Sequence, residues 1–471
     1  MKTKIKALIM VLSVGLFTAC FEDNDDNFNS STSVKDFVWK AMNTVYLYKS
    51  DVDNLADDRF ESSQDYQDYL TTFDTPVDLF ESLIYDRDNV DRFSTITSDY
   101  LALEQQLSGV SKSNGAEFNF YLSPGSTSSV FGIVRLVLPN SNASMSSLTR
   151  GHVFNKINDQ DLSVSNLSSL LDNDTYTLNL AVYNDNGTEI ADDDSLSDTT
   201  TSITLTKSVY VENPVYHHSI IERNNEKIGY LMYNGFVNEF DNELNQVFGT
   251  FKAQNIDHLV LDLRYNSGGS IRTATALGSM ITGNFENQIF TTLKYNETLS
   301  SNNFNYNFTN ELSDGTAINS LNLNQLYVLT SNRSASASEM IINCLDTYID
   351  VVQIGDDTVG KSQASQIIYD SPNFGRNNAN PAHTYALLPL IAITVNKNDG
   401  KVPPSGLVPD HELLEKASNY GTIGDTEEPL LKKALDLIQG ANKSMAPIET
   451  PSPLVEENFV ESIESMMFTE F

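Results

Sequence analysis

The 471 residues hold only two cysteines, Cys20 and Cys344, and a single tryptophan. Two cysteines cannot build a disulfide framework, so stability must come from packing. Basic residues are also scarce, 29 against 63 acidic ones, which gives a formal charge of −34. A surface of that sign repels a phosphate backbone or an anionic membrane face, so nucleic acid is not expected as a partner. The excess acid reads most simply as a solvated surface that keeps the protein soluble. Histidines number six, at 152, 217, 218, 258, 383 and 411, and none shows HExxH spacing. His217 and His218 fall in a strand-like run that would point them to opposite faces, so no shared metal is expected. A GxSxG elbow, a phosphate-cradling glycine-lysine loop and an internal repeat are all missing. The acidic runs 23–26 and 192–194 lack the register of a calcium loop. No cofactor is expected. The length exceeds one ordinary core and implies two to four domains.

The amino terminus is informative. Lys2, Lys4 and Lys6 precede an apolar run over residues 7–17, which is shorter than the roughly 20 residues a spanning helix needs. Residues 1–19 therefore read as an export signal. The ending Leu16-Phe17-Thr18-Ala19-Cys20 resembles a bacterial lipoprotein signal, which implies acylation of Cys20; an ordinary cleaved signal with a chance cysteine is the alternative. Phe21-Glu22-Asp23-Asn24-Asp25-Asp26 is similar to the acidic surface-export tags of Bacteroidetes lipoproteins. The expected location is the cell envelope, as an outer-membrane lipoprotein facing the periplasm or the cell surface. The membrane would be met through the N-terminal lipid only.

Beyond an acidic tether over 20–32, Phe37, Trp39, Val45 and Tyr48, then Phe80, Leu83 and Ile84, predict a small helical domain over 33–107. Pro76 stands where a helix would start, with Asp78 in its first turn. Residues 108–210 change to short β-like runs, 117–122, 130–138 and 175–183, with Asn186-Gly187 as a hairpin turn. Residues 215–438 alternate strands with helices, which predicts an α/β domain. Residues 441–471, rich in proline and glutamate, are expected to form a mobile tail. Cys344 lies in the apolar stretch Met340-Ile341-Ile342-Asn343-Cys344-Leu345 and reads as a small core residue.

Three constellations could carry chemistry. Asp262-Leu263-Arg264-Tyr265-Asn266-Ser267-Gly268-Gly269 lies between a buried strand and a helix, where bare backbone N–H groups could stabilise an oxyanion. Ser336, in Ser334-Ala335-Ser336-Ala337-Ser338-Glu339, opens a helix, and its spacing to Glu339 is equally that of a capping box. Gly360-Lys361 follows a strand and a turn, and Lys361 could act as a base only if burial lowers its pKa from ~10.4 towards roughly 7 to 8.

Taken in order, these pieces resemble the carboxy-terminal processing, or tail-specific, serine peptidase family. The matching features are Asp262-Leu263-Arg264 with Asn266 and Gly268-Gly269, Ser336-Ala337-Ser338-Glu339, Gly360-Lys361 25 residues beyond Ser336, and Gly406-Leu407-Val408-Pro409-Asp410. The resemblance implies a multidomain α/β protein. Its catalytic core would be Clp-protease/crotonase-like, with an inserted or preceding PDZ-like β domain and a small N-terminal helical domain. It implies Ser336 as nucleophile, Lys361 as general base, and N–H donors from Gly268 or Gly269 and from Ala337. Family members often carry a glutamine or glutamate four residues beyond the lysine; here that place is Ser365, flanked by Gln363 and Gln366, so the third member is open.

The segment Leu148-Thr149-Arg150-Gly151-His152-Val153-Phe154-Asn155-Lys156-Ile157-Asn158 is similar to a PDZ pattern, with His152 and Asp159 replacing the aspartate and glycine of that pattern. Gly115, Ala116, Glu117 and Phe118 would then form the loop that receives a peptide, although Glu117 disfavours a terminal carboxylate there. The implied substrates are unfolded or extended polypeptides cut near their C-termini. The competing readings are a peptidase-fold surface lipoprotein that binds without cutting, and an acyl-CoA enzyme of crotonase type, which export argues against. The oligomeric state is not readable.

Overall fold

A computed structural model describes residues 30–188, 193–440 and 467–468. The export signal, Cys20 and most of the proposed tail and tether therefore lie outside the described residues.

The helices Ser30–Val45, Ser63–Thr71 and Pro76–Ser82 bury Phe37, Val38, Met42, Leu70 and Phe80. Pro76 does start its helix, where its missing N–H costs no hydrogen bond. Thr75 and Asp78 close a reciprocal capping box there, at 2.9 and 3.1 Å. This helical segment has no core to itself. Ile368 and Leu387, far along the chain, pack into it, and the strand Thr95–Thr97 pairs antiparallel with Ala386–Leu388. The helices are thereby held against the rest of the molecule.

An antiparallel sheet follows, in the order Ala116–Leu122, Val130–Val137, Val153–Ile157, Thr175–Asn184 and Ser195–Thr206. The ladder between Val110–Ser113 and Ser208–Val211 ties together the two ends of this unit. Asn186 and Gly187 both take positive φ in a turn closed by Thr188 N–H to the Asp185 carbonyl. The strands pair last at Asn184 and Ser195, so this turn lies within a longer connection and is not the expected two-residue hairpin turn. Asn158 and Asp159 also take positive φ, and Asp159 is tolerated at the glycine-like position because Asn179 binds both its N–H and its carboxylate. Ala116–Leu122 lies at the edge of this sheet.

The third region is built on a sheet ordered Val215–Arg223, Glu226–Tyr233, His258–Asp262, Gln325–Thr330, Asp350–Gly355 and His411–Glu412, parallel after its first pair. Parallel strands covered on both faces read as continuous apolar runs, as Leu259-Val260-Leu261 does. The helices Asp241–Gln254, Ile271–Thr282 and Ala337–Leu345 pack through Phe248, Leu277 and Ile341 into one core. Cys344 belongs to this core, and burial pushes its thiol up to about 12.

A second six-stranded sheet is ordered Gly269–Ser270, Met467–Phe468, Gln363–Ser365, Leu390–Val395, Ile289–Tyr295 and Phe304–Asn307. Met467–Phe468 corrects the expectation of a mobile tail for those two residues. A glycine-led strand on one flank and Gln363–Ser365 on the other leave room for a strand that nothing in the local sequence announces. Among the described residues no helix is long and apolar enough to cross a membrane, and no cluster of potential metal ligands occurs.

Candidate active site

The parallel strands His258–Asp262 and Gln325–Thr330 end side by side, and the turns that leave them are laced together. Ser334 Oγ donates to the Leu263 carbonyl and Ser338 Oγ to the Asn266 carbonyl, each at 2.8 Å. Ala335 N–H also donates to the Asn266 carbonyl, and Asn266 Nδ2 donates to the Tyr233 carbonyl. Of the three serines from 334 to 338, the outer two are thus occupied in holding the turn. Ser336 is the exception. Its Oγ is buried and has no hydrogen-bond partner among the described residues, so of the capping box that the spacing allowed only the Glu339 half is made. Its backbone sits at φ 63° and ψ −114°.

Glu339 organises the surroundings. Its Oε2 accepts from the N–H of Ser336 at 2.7 Å and from the N–H of Lys361 at 2.9 Å. Its Oε1 accepts from Gly360 N–H at 2.7 Å and Thr358 Oγ1 at 2.5 Å. One carboxylate oxygen therefore joins the backbones of the two residues expected to react. Burial raises the Glu339 pKa, and these four donors oppose the rise.

Lys361 is fully buried. Burial lowers its ammonium to about 7; the nearby charges of Asp91 and Glu339 pull it back up, and Arg92 pushes it down. Its Nζ stands 4.8 Å from the centre of the Phe93 ring. Asp91 and Phe93 were not expected in the site. They precede Lys361 by more than 260 residues and no local pattern marks them. The hydrogen bond between Ser336 Oγ and Lys361 Nζ that a reacting pair needs is not formed in this state.

Gly268 and Gly269 have φ of 120° and 132°, conformations that suit glycine. A Cβ on Gly269 would stand 2.3 Å from the Phe236 carbonyl oxygen. In this state the Gly268 N–H is given to Asn266 Oδ1 at 2.9 Å. Gly269 remains from this turn. Ala337 opens its helix, where the N–H has no acceptor within the helix.

The three candidates for a third member are separated by the strand. Gln363 and Ser365 share one face of Gln363–Ser365. Gln363 Nε2 donates to Tyr48 at 3.0 Å, and Ser365 is fully buried with its Oγ unpartnered among the described residues. Gln366 lines a different cavity, with Asp241, Leu293 and Phe304.

A cleft of about 400 Å³ connects the β unit to this turn, lined by Ala116, Glu117, Arg135, Tyr265, Gly268 and Gly269. Glu117 is not the lone negative charge expected there, because Arg135 pairs with it at 3.0 Å. Gly115 fits only glycine, since an added Cβ would stand 2.1 Å from that of Ser141. Phe118 packs edge-on to Phe154, at 5.0 Å between ring centres. On the far side of the turn Arg264 binds Asp262, Glu415 and Glu428 at 2.7 to 3.1 Å. Arg150, from the β unit, also binds Glu415, and it accompanies Tyr265, whose hydroxyl is 2.7 Å away. Sequence reading missed Glu415 and Glu428, whose signal was only an acidic residue beyond the last strand.

Residues 227–374 match peptidase family S41, and residues 33–95 match the peptidase S41 N-terminal domain. A carboxyl-terminal-processing protease of Picosynechococcus is 24% identical over 247 residues, which cover 51% of this chain and 52% of that protein. The chain thus spans about half the length of the curated relative it matches. A solved structure assigned to the S41 proteases, from Bacteroides fragilis NCTC 9343, is 27% identical with a TM-score of 0.69, covering 86% of this chain and 98% of the other. The two matched segments include the turn of Gly268 and Gly269, Ser336, Glu339, Lys361, Asp91 and Phe93, so the chain carries peptidase family S41 domains over these residues.

Proposed function

We propose that the chain is a serine peptidase that takes extended polypeptides and cuts them near their C-termini. The observation that carries this reading is the shared oxygen of Glu339, which holds Ser336 beside a buried Lys361 whose pKa is about 7. A base poised near the working pH is what general-base catalysis favours. Neutral Lys361 Nζ takes the Ser336 Oγ proton as Oγ bonds to the scissile carbonyl carbon. Gly269 and Ala337 N–H groups face the oxyanion. The C–N bond then breaks, the ammonium returns its proton to the leaving amine, and a water deprotonated by Lys361 releases the acyl group. The separation of Ser336 Oγ from Lys361 Nζ closes on substrate binding, since catalytic hydrogen bonds are often long in the free enzyme.

The reading extends to the cell. A lipid on Cys20 would hold the enzyme at the outer membrane, and labelled palmitate incorporated by wild type but not by Cys20→Ala tests it. The peptidase reading is tested on an unstructured substrate with an apolar C-terminal end. Ser336→Ala is expected to lower kcat/KM by about 10⁴-fold or more with an unchanged melting temperature. Equal cleavage by wild type, Ser336→Ala and Lys361→Ala would sink it. A second reading, peptide binding without cleavage, is favoured by the unpartnered Ser336 Oγ and by Ser365 in the third position. It predicts peptide retention that is unchanged by Ser336→Ala and no Ser336-dependent products.

A further inference from the structure

The two-residue strand Met467–Phe468 lies between Gly269–Ser270 and Gln363–Ser365, parallel to both. Gly269 stands opposite Met467, Ser270 opposite Phe468, and Ser365 opposite Phe468. Gly269 is the glycine left as oxyanion donor, and Gln363 begins two residues after Lys361. The chain's own C-terminal segment therefore runs between the two walls of the site.

Backbone direction sharpens this placement. Phe236 N–H donates to the Gly268 carbonyl and Ser270 N–H donates to the Phe236 carbonyl. Because N–H and C=O groups of successive residues alternate sides along a strand, those of Gly269 point the other way, towards Met467–Phe468. Two further observations fit a slot made for a replaceable strand. Ser365 Oγ is buried on the slot's far wall with no partner among the described residues, and Ser336 has no exposed surface, so an incoming carbonyl must displace something to reach it.

We propose that this slot is where a substrate backbone adds as a parallel strand, and that its resident occupant is the chain's own C-terminal segment, which competes with substrate in cis. The proposal rests on the peptidase reading for its consequence but not for its binding claim. Strand addition uses main-chain hydrogen bonds and so tolerates many sequences, which suits both a self segment and an unfolded polypeptide. A tethered segment meets its slot at an effective concentration on the order of 1 mM, so a segment whose own Kd is about 0.1 mM raises the apparent KM of substrate about tenfold.

The test uses the full chain. The double substitution Met467→Pro with Phe468→Pro removes both backbone N–H groups of the strand. In a Ser336→Ala background, a fluorescent peptide of residues 461–471 is expected to bind the double variant about tenfold more tightly than its parent. In the active background the double variant is expected to lower KM about tenfold at unchanged kcat. Equal peptide affinity in the two Ser336→Ala proteins, or no binding by either, overturns the proposal. Failure of the peptidase reading looks different: no Ser336-dependent cleavage by any variant, with the peptide-binding difference intact.

Discussion

Arg264 and Lys361 are both fully buried beside the serine turn, and the fold treats them in opposite ways. Around Arg264 three carboxylates converge, and their charges hold the guanidinium protonated against the cost of burial. Near Lys361 there are carboxylates too, and they also accept from other donors. Asp91 accepts from Tyr46 Oη, Phe93 N–H and Ser94 N–H, and Glu339 accepts from three backbone N–H groups and Thr358. Burial dominates and the ammonium falls to about 7. At Arg264 the attraction of the carboxylates outweighs burial and the side chain is a strut; at Lys361 burial outweighs the attraction of Asp91 and Glu339, as the proposed general base requires.

The comparison breaks most visibly if Lys361 is given a charge that cannot leave. Lys361→Arg is expected to lower kcat/KM by about 10³-fold at every pH. The wild type should instead lose activity tenfold per unit below pH ~7 and be flat above it. Stability carries the matching sign. The folded pKa of about 7 lies below the ordinary ~10.4, so the stability present above ~10.4 is lost as pH falls towards 7 and is constant below it. Lys361→Met should therefore be more stable than wild type by about 4 to 5 kcal/mol at pH 6, read by urea titration.

The other half of the comparison is tested at Glu415. Against the cost of burial, Arg150 and Arg264 hold its carboxyl down to about 2. Glu415→Gln leaves both arginines short of a charge and should cost about 3 kcal/mol at pH 7. The wild-type advantage is present above the ordinary ~4.3 and is lost as pH falls through about 2, so the two proteins should converge in acid. The smallest effect is expected from Phe93→Ala, which admits water to Lys361 and should move the acidic limb of kcat/KM upward by about one unit.

The sequence carried some of this better than the rest. Ser336, Gly269 and Lys361 could be singled out as candidates because strand ends and their turns are local, and their order along the chain is fixed by the parallel sheet. Glu339 was visible as half of a helix cap, and it does accept the Ser336 N–H, but its reach to the lysine turn was not legible. Only the packed structure brings Gly360 and Lys361 onto the same carboxylate. Burial of Lys361 depends on Phe93, and the charge of Arg264 on Glu415 and Glu428, contacts between distant segments that no periodicity encodes. Ser365 shows the reverse: its position was read correctly, but its role waits on what lies across the slot.

The backbone of Ser336 has one more consequence. At φ 63° and ψ −114° it occupies a conformation natural to glycine and unfavourable to any residue with a Cβ, at a cost of roughly 1 to 3 kcal/mol. Serine is thus the wrong residue for this turn, and on the proposed mechanism chemistry rather than folding keeps it there. Ser336→Gly should abolish cleavage as fully as Ser336→Ala while melting at a higher temperature than either Ser336→Ala or the wild type. Drift away from activity is therefore downhill in stability terms, and an inactive descendant of this enzyme would be recognised first by a glycine at position 336.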